Sequence, residues 1–421
     1  MGAEEEPIRK FGHGTSPRGP FGLAIDPVFG GIFWGKFLSS AGMWVHAIVA
    51  AIVVFDAGGS TLLVGMVSVA VAAPQLFLGL LSGKWADRGD AVRQILLGRL
   101  LCGAGSGSLA VWIGLSPGAE GAVLIVAVLL ASFVVGIGFA VGGSALQSII
   151  PSLIRPGELG TAMALNTAPT TTARIAGPAL GAFATVHLGA AVAFSFAAAM
   201  HLVFAAIIVA IRFPVRKKHQ AGVDYSIRSA LRHVRRDRPL LLLLVGTAAV
   251  GFGAEPPMTL GPALADELGG GTRLVGEIAT TFGLGAAGGL VFISTANRHI
   301  QSTLSSCLGL WLMALGLVAV AFSPTAWLAL SAFGVAGFGF SWALTGFSTL
   351  TQGRTPEEFR GRIMALWMVG FIGSRPFAAA VTGIVADALS VRISFFFAAA
   401  SLAVIAALCG PRNLAGPNGE S

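Results

Sequence analysis

Apolar runs of about twenty residues recur almost from end to end of this chain, and that pattern leaves few folds open. A helix needs roughly 20 apolar residues to cross the hydrocarbon core of a bilayer. Lipid offers no hydrogen bonds, so a crossing segment must be a helix or part of a closed barrel. The runs are continuous rather than alternating at period two, which favours helices over a barrel. Six are read in the first half, about 30–55, 60–82, 94–115, 121–149, 162–186 and 188–211. Six more follow at about 239–264, 273–295, 302–322, 325–350, 362–386 and 392–410. Only 11% of residues are charged, against about 25% in soluble domains. The expectation is an all-α polytopic membrane protein with twelve transmembrane helices in two pseudo-symmetric six-helix bundles.

The longest polar break, FPVRKKHQAGVDYSIRSALRHVRRDRP, separates the two sets of six. It defines a tail (1–29), a first bundle (30–212), a linker (213–238), a second bundle (239–410) and a second tail (411–421). Within the linker, Ile227, Ala230, Leu231 and Val234 keep helical spacing among Arg228, Arg232, Arg235 and Arg236. That suits an amphipathic helix on anionic headgroups, and a solvated basic tether fits as well. The net charge of +8 reflects topology rather than nucleic acid. Arg273 and Arg392 fall outside, Lys36, Arg174 and Arg375 lie within spans, and the other Lys and Arg go to the inner segments. By the positive-inside rule both termini are cytoplasmic. The N-terminus has no apolar signal core. Cys102, Cys307 and Cys409 lie in apolar runs without ligand spacing, so packing is expected and neither a metal nor a cofactor is implied.

The halves read as diverged copies. RPGELGTAMALN follows the fourth span and RTPEEFRGRIMALW the tenth, and superposing their Met-Ala-Leu triplets places Arg174 on Arg375. Internal repeats of this kind are a recurrent transporter architecture, with the substrate site at the repeat interface.

Span five contains TAPTTTARIAGPALGA. Asn166, Thr170, Arg174, Gly177 and Gly181 are spaced by three or four and share a helix face. Arg174 is ~18 Å from either end of its span, and facing lipid there costs at least ~2.5–3.5 kcal/mol. The stripe should therefore face protein or a water-filled cavity. The matching positions in span eleven are Trp367, Phe371, Arg375, Ala378 and Thr382. The two walls together suggest a cavity for an amphiphile with anionic or hydrogen-bond-accepting groups. The competing reading gives Arg174 a salt bridge that holds the halves together. Proton coupling needs a titratable group in the membrane, and Glu255, followed by Pro256 and Pro257, and His46 in span one are the candidates. A hydrogen-bonded core histidine is the alternative for His46. His201 reads as packing, and Asp56, Asp266, Glu267, Glu277 and Asp387 read as solvated outer-end acids.

The loop after span two, GKWADRGDAVRQ, resembles the signature G-x-x-x-D-R-x-G-R-R of the major facilitator superfamily, which latches the cytoplasmic side. Gly83, Asp87 and Arg88 match, the later glycine is displaced to Gly89, and the basic pair is reduced to Arg93. In the second half Asn297 replaces the acid, which implies a weaker latch. FLSSAGMWVHAIVAAIVVFDAGGS, ALNTAPTTTARIAGPALGAF and FRGRIMALWMVGFIGSRP resemble the enterobactin-exporter-like and macrolide-efflux-like branch, which also includes a lysophospholipid transporter. That branch often has Gly-Asp-Trp in span one, where this chain has Gly42-Met43-Trp44. Arg174, Gly177, Pro178 and Gly181 partly match the antiporter motif of drug/proton antiporters, with Ala164 and Ala173 at its flanking glycines. The resemblance implies a functional monomer in a bacterial inner membrane that exports a small amphiphile, siderophore-like or drug, in exchange for protons by alternating access. A lipid or lysophospholipid translocator is the alternative. No ATP-binding loop or catalytic set is present, so an enzyme is not expected.

Overall fold

The structure, a computed structural model, describes residues 17–415 apart from 59, 89, 117, 119, 156, 212, 214–226, 296–301 and 357–358. Among the described residues the regular structure is helical throughout. A short α1 (Pro20–Ala24) precedes α2 (Phe29–Gly58), α3 (Thr61–Arg88), α4 (Ala91–Leu115), α5 (Gly121–Ile149), α6 (Leu159–Leu188) and α7 (Ala190–Ala210). The linker contributes α8 (Ile227–Arg236). The second bundle comprises α9 (Arg238–Gly253), α10 (Pro256–Thr259), α11 (Gly261–Glu267), α12 (Gly271–Thr295), α13 (Ser302–Ala321), α14 (Ala326–Arg354), α15 (Arg360–Ala388) and α16 (Val391–Leu408), and α17 (Pro411–Ala415) follows. Eleven helical segments are long and apolar enough to cross a membrane. The twelfth crossing is α6, whose 30 residues include the threonine run and Arg174 that dilute its hydropathy.

Span seven departs from the continuous helix expected at 239–264. It runs as α9, α10 and α11 in series, broken at Ala254–Glu255. Pro256 and Pro257 have no N–H to offer the carbonyls of Phe252 and Gly253, so the α-helical ladder cannot continue. Broken crossings are where transporters of this architecture expose backbone and side chains to a binding site.

Inside each half, glycines let helices approach closely. A Cβ on Gly98 of α4 would sit 2.5 Å from the Gly138 carbonyl of α5, and one on Gly285 of α12 would sit 2.0 Å from that of Gly334 in α14. The halves meet where α3 packs on α15 and α6 on α12. The glycine-mediated approaches between them run from mid-helix to the end away from the termini. Gly65 abuts the Ala379 carbonyl, Gly383 the Leu62 backbone, Gly276 Ala182, Gly283 Ile175 and Gly373 Leu76. That end is also tied by Asp387 on α15, which accepts from the Thr61 N–H at 2.8 Å, the Leu62 N–H at 3.0 Å and the Ser60 hydroxyl at 2.6 Å. Asp387 is therefore a cap on α3 contributed by the other half, while staying exposed as expected of an outer-end acid.

The terminus-bearing end is organised by short polar ties. Glu158, at the start of α6, accepts from Arg18 Nε at 2.8 Å, Arg18 Nη2 at 2.7 Å and the Arg18 and Arg155 amides. These bonds push its carboxyl down to about 2, against the opposing effect of burial. In the linker, α8 buries Val234 with Leu240 and Ile363, and His233 stacks on Phe359 at 4.9 Å. Leu231, Arg232, Arg235 and Arg236 stay exposed. The amphipathic helix thus lies on the second bundle.

Candidate functional site

The break in span seven delivers Glu255 to the middle of the molecule, where its side chain is completely buried. One carboxylate oxygen accepts from Arg375 Nε at 2.9 Å. The other accepts from the Ser68 hydroxyl and, at 3.3 Å, from Thr259. Arg375 belongs to α15 in the same half and Ser68 to α3 in the other. One buried carboxylate therefore neutralises a cation and bridges the two bundles. Ser68 and Thr259 carry no signal in the sequence, since a hydroxyl in a membrane helix is ordinary until its partner is known.

Arg174 is arranged differently. Its guanidinium carbon lies 4.9 Å from the Phe340 ring centroid and 5.4 Å from that of Trp44. Among the described residues no carboxylate lies within salt-bridge distance of it, so the tie between halves read as an alternative for Arg174 belongs instead to Glu255 and Ser68. Aromatic faces stabilise a desolvated cation by up to ~2 kcal/mol or more, which offsets part of the cost of depth and leaves the charge uncancelled. Trp44 also faces Arg375 at 5.8 Å. Trp44 comes from the Gly42-Met43-Trp44 segment of α2.

Two cavities adjoin at this point. One is lined by Arg174, Trp44, Pro178, Phe282, Phe371 and Arg375 among others. The second lies toward α3, with Ser68, Glu255, Arg375, Met43 and Trp44 in its wall. Its remaining lining is mainly Ala, Val, Met and Ile. Phe371 stacks on Trp367 at 5.9 Å. Trp367 itself is buried, and its indole N–H has no partner in the described structure.

The polar stripe of α6 divides along its length. Gly177 and Gly181 face α2, where a Cβ on either would come within 2.5 Å of Trp44 Cβ or Ile48 Cγ2. Their role is close packing. Thr170 is exposed and Asn166 buried. The Asn166 side-chain oxygen accepts from Lys36 Nζ at 2.6 Å, and its amide nitrogen donates to Gln147 at 2.8 Å.

His46 lies inside the first bundle, among α2, α4 and α5. Its two ring nitrogens bond the Ser106 and Ser132 hydroxyls, both at 3.0 Å, and it lines neither cavity. Arg99, placed with the inner-segment cations by the charge reading, is instead buried in α4. It bonds Ser39 and lies 4.6 Å from the Phe139 ring centroid. His201 bonds the same Ser39 hydroxyl at 3.1 Å. Five residues from a span's end looked like an interface position, but the span continues as helix to Ala91. For the latch, Gly83, Asp87 and Arg88 close α3, while their side chains, Gly89 and Asn297 lie outside the described residues. Arg93 is exposed and pairs with Asp90 at 3.2 Å. Asp90 in turn caps α4.

Comparison with known proteins fits this architecture. The profile of the transmembrane secretion effector family matches residues 15–419. The enterobactin exporter EntS of Salmonella typhimurium is 27% identical over 376 residues, covering 86% of each chain, and EntS of Escherichia coli O1:K1 is 27% identical over 389 residues with the same coverage. Among solved structures, an inward-facing bacterial homologue of the human lysosomal transporter Spinster superposes with a TM-score of 0.71 at 18% identity, covering 91% of this chain and 96% of that one. An inward-facing bacterial homologue of the iron transporter ferroportin gives 0.69 at 16% identity, covering 90% and 98%. With its helical bundles, its mid-membrane cavities and a profile match across nearly its whole length, the chain belongs to the transmembrane secretion effector family and is a membrane transporter of the major facilitator type.

Proposed function

We propose that the protein exports a small anionic amphiphile from the cytoplasm by alternating access, in exchange for protons carried by Glu255. The termini are taken as cytoplasmic and the membrane as a bacterial inner membrane. The observation that carries the reading is the division between the two arginines. Arg375 is neutralised by Glu255, whereas Arg174 faces the cavity between aromatic rings with no acid at hand. An anionic group has one place to bind, and its apolar body has aromatic and aliphatic walls. The relatives named for enterobactin export support a siderophore-like molecule of this description. Close packing at the end away from the termini supports a cavity approached from the cytoplasm.

The sign of the coupling depends on which group holds Arg375. An anion that took Arg375 from Glu255 would leave a buried carboxylate needing a proton, so substrate and proton would travel together. Exchange requires the substrate to anchor on Arg174 and leave the Arg375–Glu255 pair whole, as the division of roles allows. His46, saturated by two serines and remote from the cavities, is left with a packing role in this scheme.

The test uses proteoliposomes with an imposed pH gradient and a panel of catecholate siderophores, macrolides and lysophospholipids. Arg174→Ala should abolish ligand-induced stabilisation and transport. Glu255→Gln should keep binding while losing accumulation against a gradient. Transport that survives Arg174→Ala refutes the cavity assignment. Lysophospholipid flux indifferent to pH in both proteins would favour lipid translocation instead.

A further inference from the structure

Lys36 stands in α2 seven residues beyond its start at Phe29, ~10 Å inside the bundle. Its ammonium donates to the side-chain oxygen and to the backbone carbonyl of Asn166, each at 2.6 Å. Asn166 is steered in turn by Gln147 of α5. Every acceptor in this chain is neutral, and among the described residues no carboxylate lies within salt-bridge distance of Lys36. An ammonium has three donors, and two are used. The surroundings are open: Lys36 is partly exposed and Gln147 exposed, and a Cβ at Gly143, one turn before Gln147, would meet nothing within 4 Å. The lysine is held in position by amides while its charge and its third donor remain available.

The second fact is spacing. Asn166 and Arg174 are eight residues apart on α6, about 12 Å along the axis, and the exposed hydroxyl of Thr170 lies between them. Among the described residues, two cations without acids therefore lie along α6, Lys36 nearer the terminus-bearing end and Arg174 deeper.

We propose that Lys36, oriented by Asn166 and Gln147, is a second anion-binding position that takes a further acidic group of the same transported molecule, roughly 12 Å from the group on Arg174. This rests on the reading of Arg174 as the substrate anchor. The transported molecule is then an elongated amphiphile with two acidic groups, each a carboxylate, phosphate or phenolate. A monoacid of the same apolar bulk uses only the deeper position.

The experiment titrates the purified full-length protein with α,ω-dicarboxylates graded in length around that spacing. Monocarboxylates of matched length and dodecyl phosphate, a single-headgroup lipid mimic, serve as comparison, and the readout is the ligand-induced change in indole fluorescence, to which Trp44 beside Arg174 contributes with the other seven tryptophans. In the native protein a diacid of matching length should bind at least about tenfold more tightly than its monoacid, as one charge-assisted hydrogen bond supplies. Lys36→Gln should remove that advantage and leave the monoacid and dodecyl phosphate within about twofold of native, while Lys36→Arg retains it. Arg174→Gln should weaken all three probes. Equal binding of diacids and monoacids, failure of any diacid to bind, or a Lys36→Gln loss shared equally by all three probes would overturn the proposal, the last marking Lys36 as a structural tie. Probes indifferent to Arg174→Gln would instead sink the anchor assignment, a distinguishable failure.

Discussion

Replacing Arg375 with Gln isolates the most consequential interaction in the molecule. Glu255 has no exposed side-chain surface, and Arg375 has a quarter of its own exposed. Removing the arginine leaves a buried carboxylate supported by two hydroxyls, and breaking such a pair costs about 3–5 kcal/mol. Glu255→Gln should cost less, about 1–2 kcal/mol, because the orphaned arginine still reaches cavity water and the new amide still bonds Ser68.

The double variant should lie near Glu255→Gln rather than at the sum, giving a coupling energy close to the whole Arg375→Gln penalty, about 3–5 kcal/mol. Melting of the detergent-solubilised proteins at one scan rate and one pH measures this, since irreversible unfolding makes only matched scans comparable. Arg375→Gln should be the least stable variant. An Arg375→Gln protein as stable as Glu255→Gln, or additive effects in the double variant, would refute the view that the pair is a neutralising bond.

Three further outcomes follow from the packing. Ala at Gly65 places a methyl group 2.6 Å from the Ala379 carbonyl, and Ala at Gly383 meets the Leu62 backbone at 2.7 Å. Because backbone cannot yield as a side-chain tip does, either change should open the far end, seen as faster thiol labelling of a cysteine placed at Ser68. Asp387→Ala removes a cap supplied by the other half, worth about 1 kcal/mol, and should raise the same labelling rate without unfolding the protein. Glu158, held at about 2 against an ordinary 4.5, contributes up to about 3 kcal/mol. That contribution is complete above pH 4.5 and lost as pH falls toward 2, so the native protein and Glu158→Gln should differ most at neutral pH and converge in acid melts.

The crossings are legible because apolar runs of this length admit one solution in lipid. The break in span seven is half-legible. Pro256-Pro257 marks where the ladder fails, but only the fold shows that the gap turns Glu255 toward Arg375. That pairing joins residues 120 positions apart and depends on the rotation of two helices, which apolar sequence leaves nearly free. The stripe on α6 is legible as a stripe and misleading as a single surface. Helical spacing groups Gly177 and Gly181 with Arg174, yet α2 takes the glycines while the cavity takes the arginine. Arg99 misleads for a related reason. Depth counted from a span's end gives no information on what faces the side chain, so a buried arginine passes for one of the inner-segment cations.

Three arginines within the spans of one fold, Arg99, Arg174 and Arg375, show that a charge in the membrane is not by itself a site. Arg99 has an aromatic neighbour and a serine, much as Arg174 has two aromatic rings, and neither has an acid. The difference is volume. Around Arg99 helices α4 and α5 are pressed together at Gly98, Gly138 and Gly142, and a Cβ on Gly142 would lie 3.0 Å from its guanidinium. No ligand fits there, so the charge is spent on fixing α2, α4 and α7 around Ser39 and His201. Around Arg174, by contrast, the helices leave a cavity whose wall includes Pro178 and Pro257. An uncancelled cation becomes a binding group only where the helices around it leave such a space. In this chain Pro178 of α6 stands at the wall beside Arg174, and Pro257, at the break in span seven, belongs to the same lining.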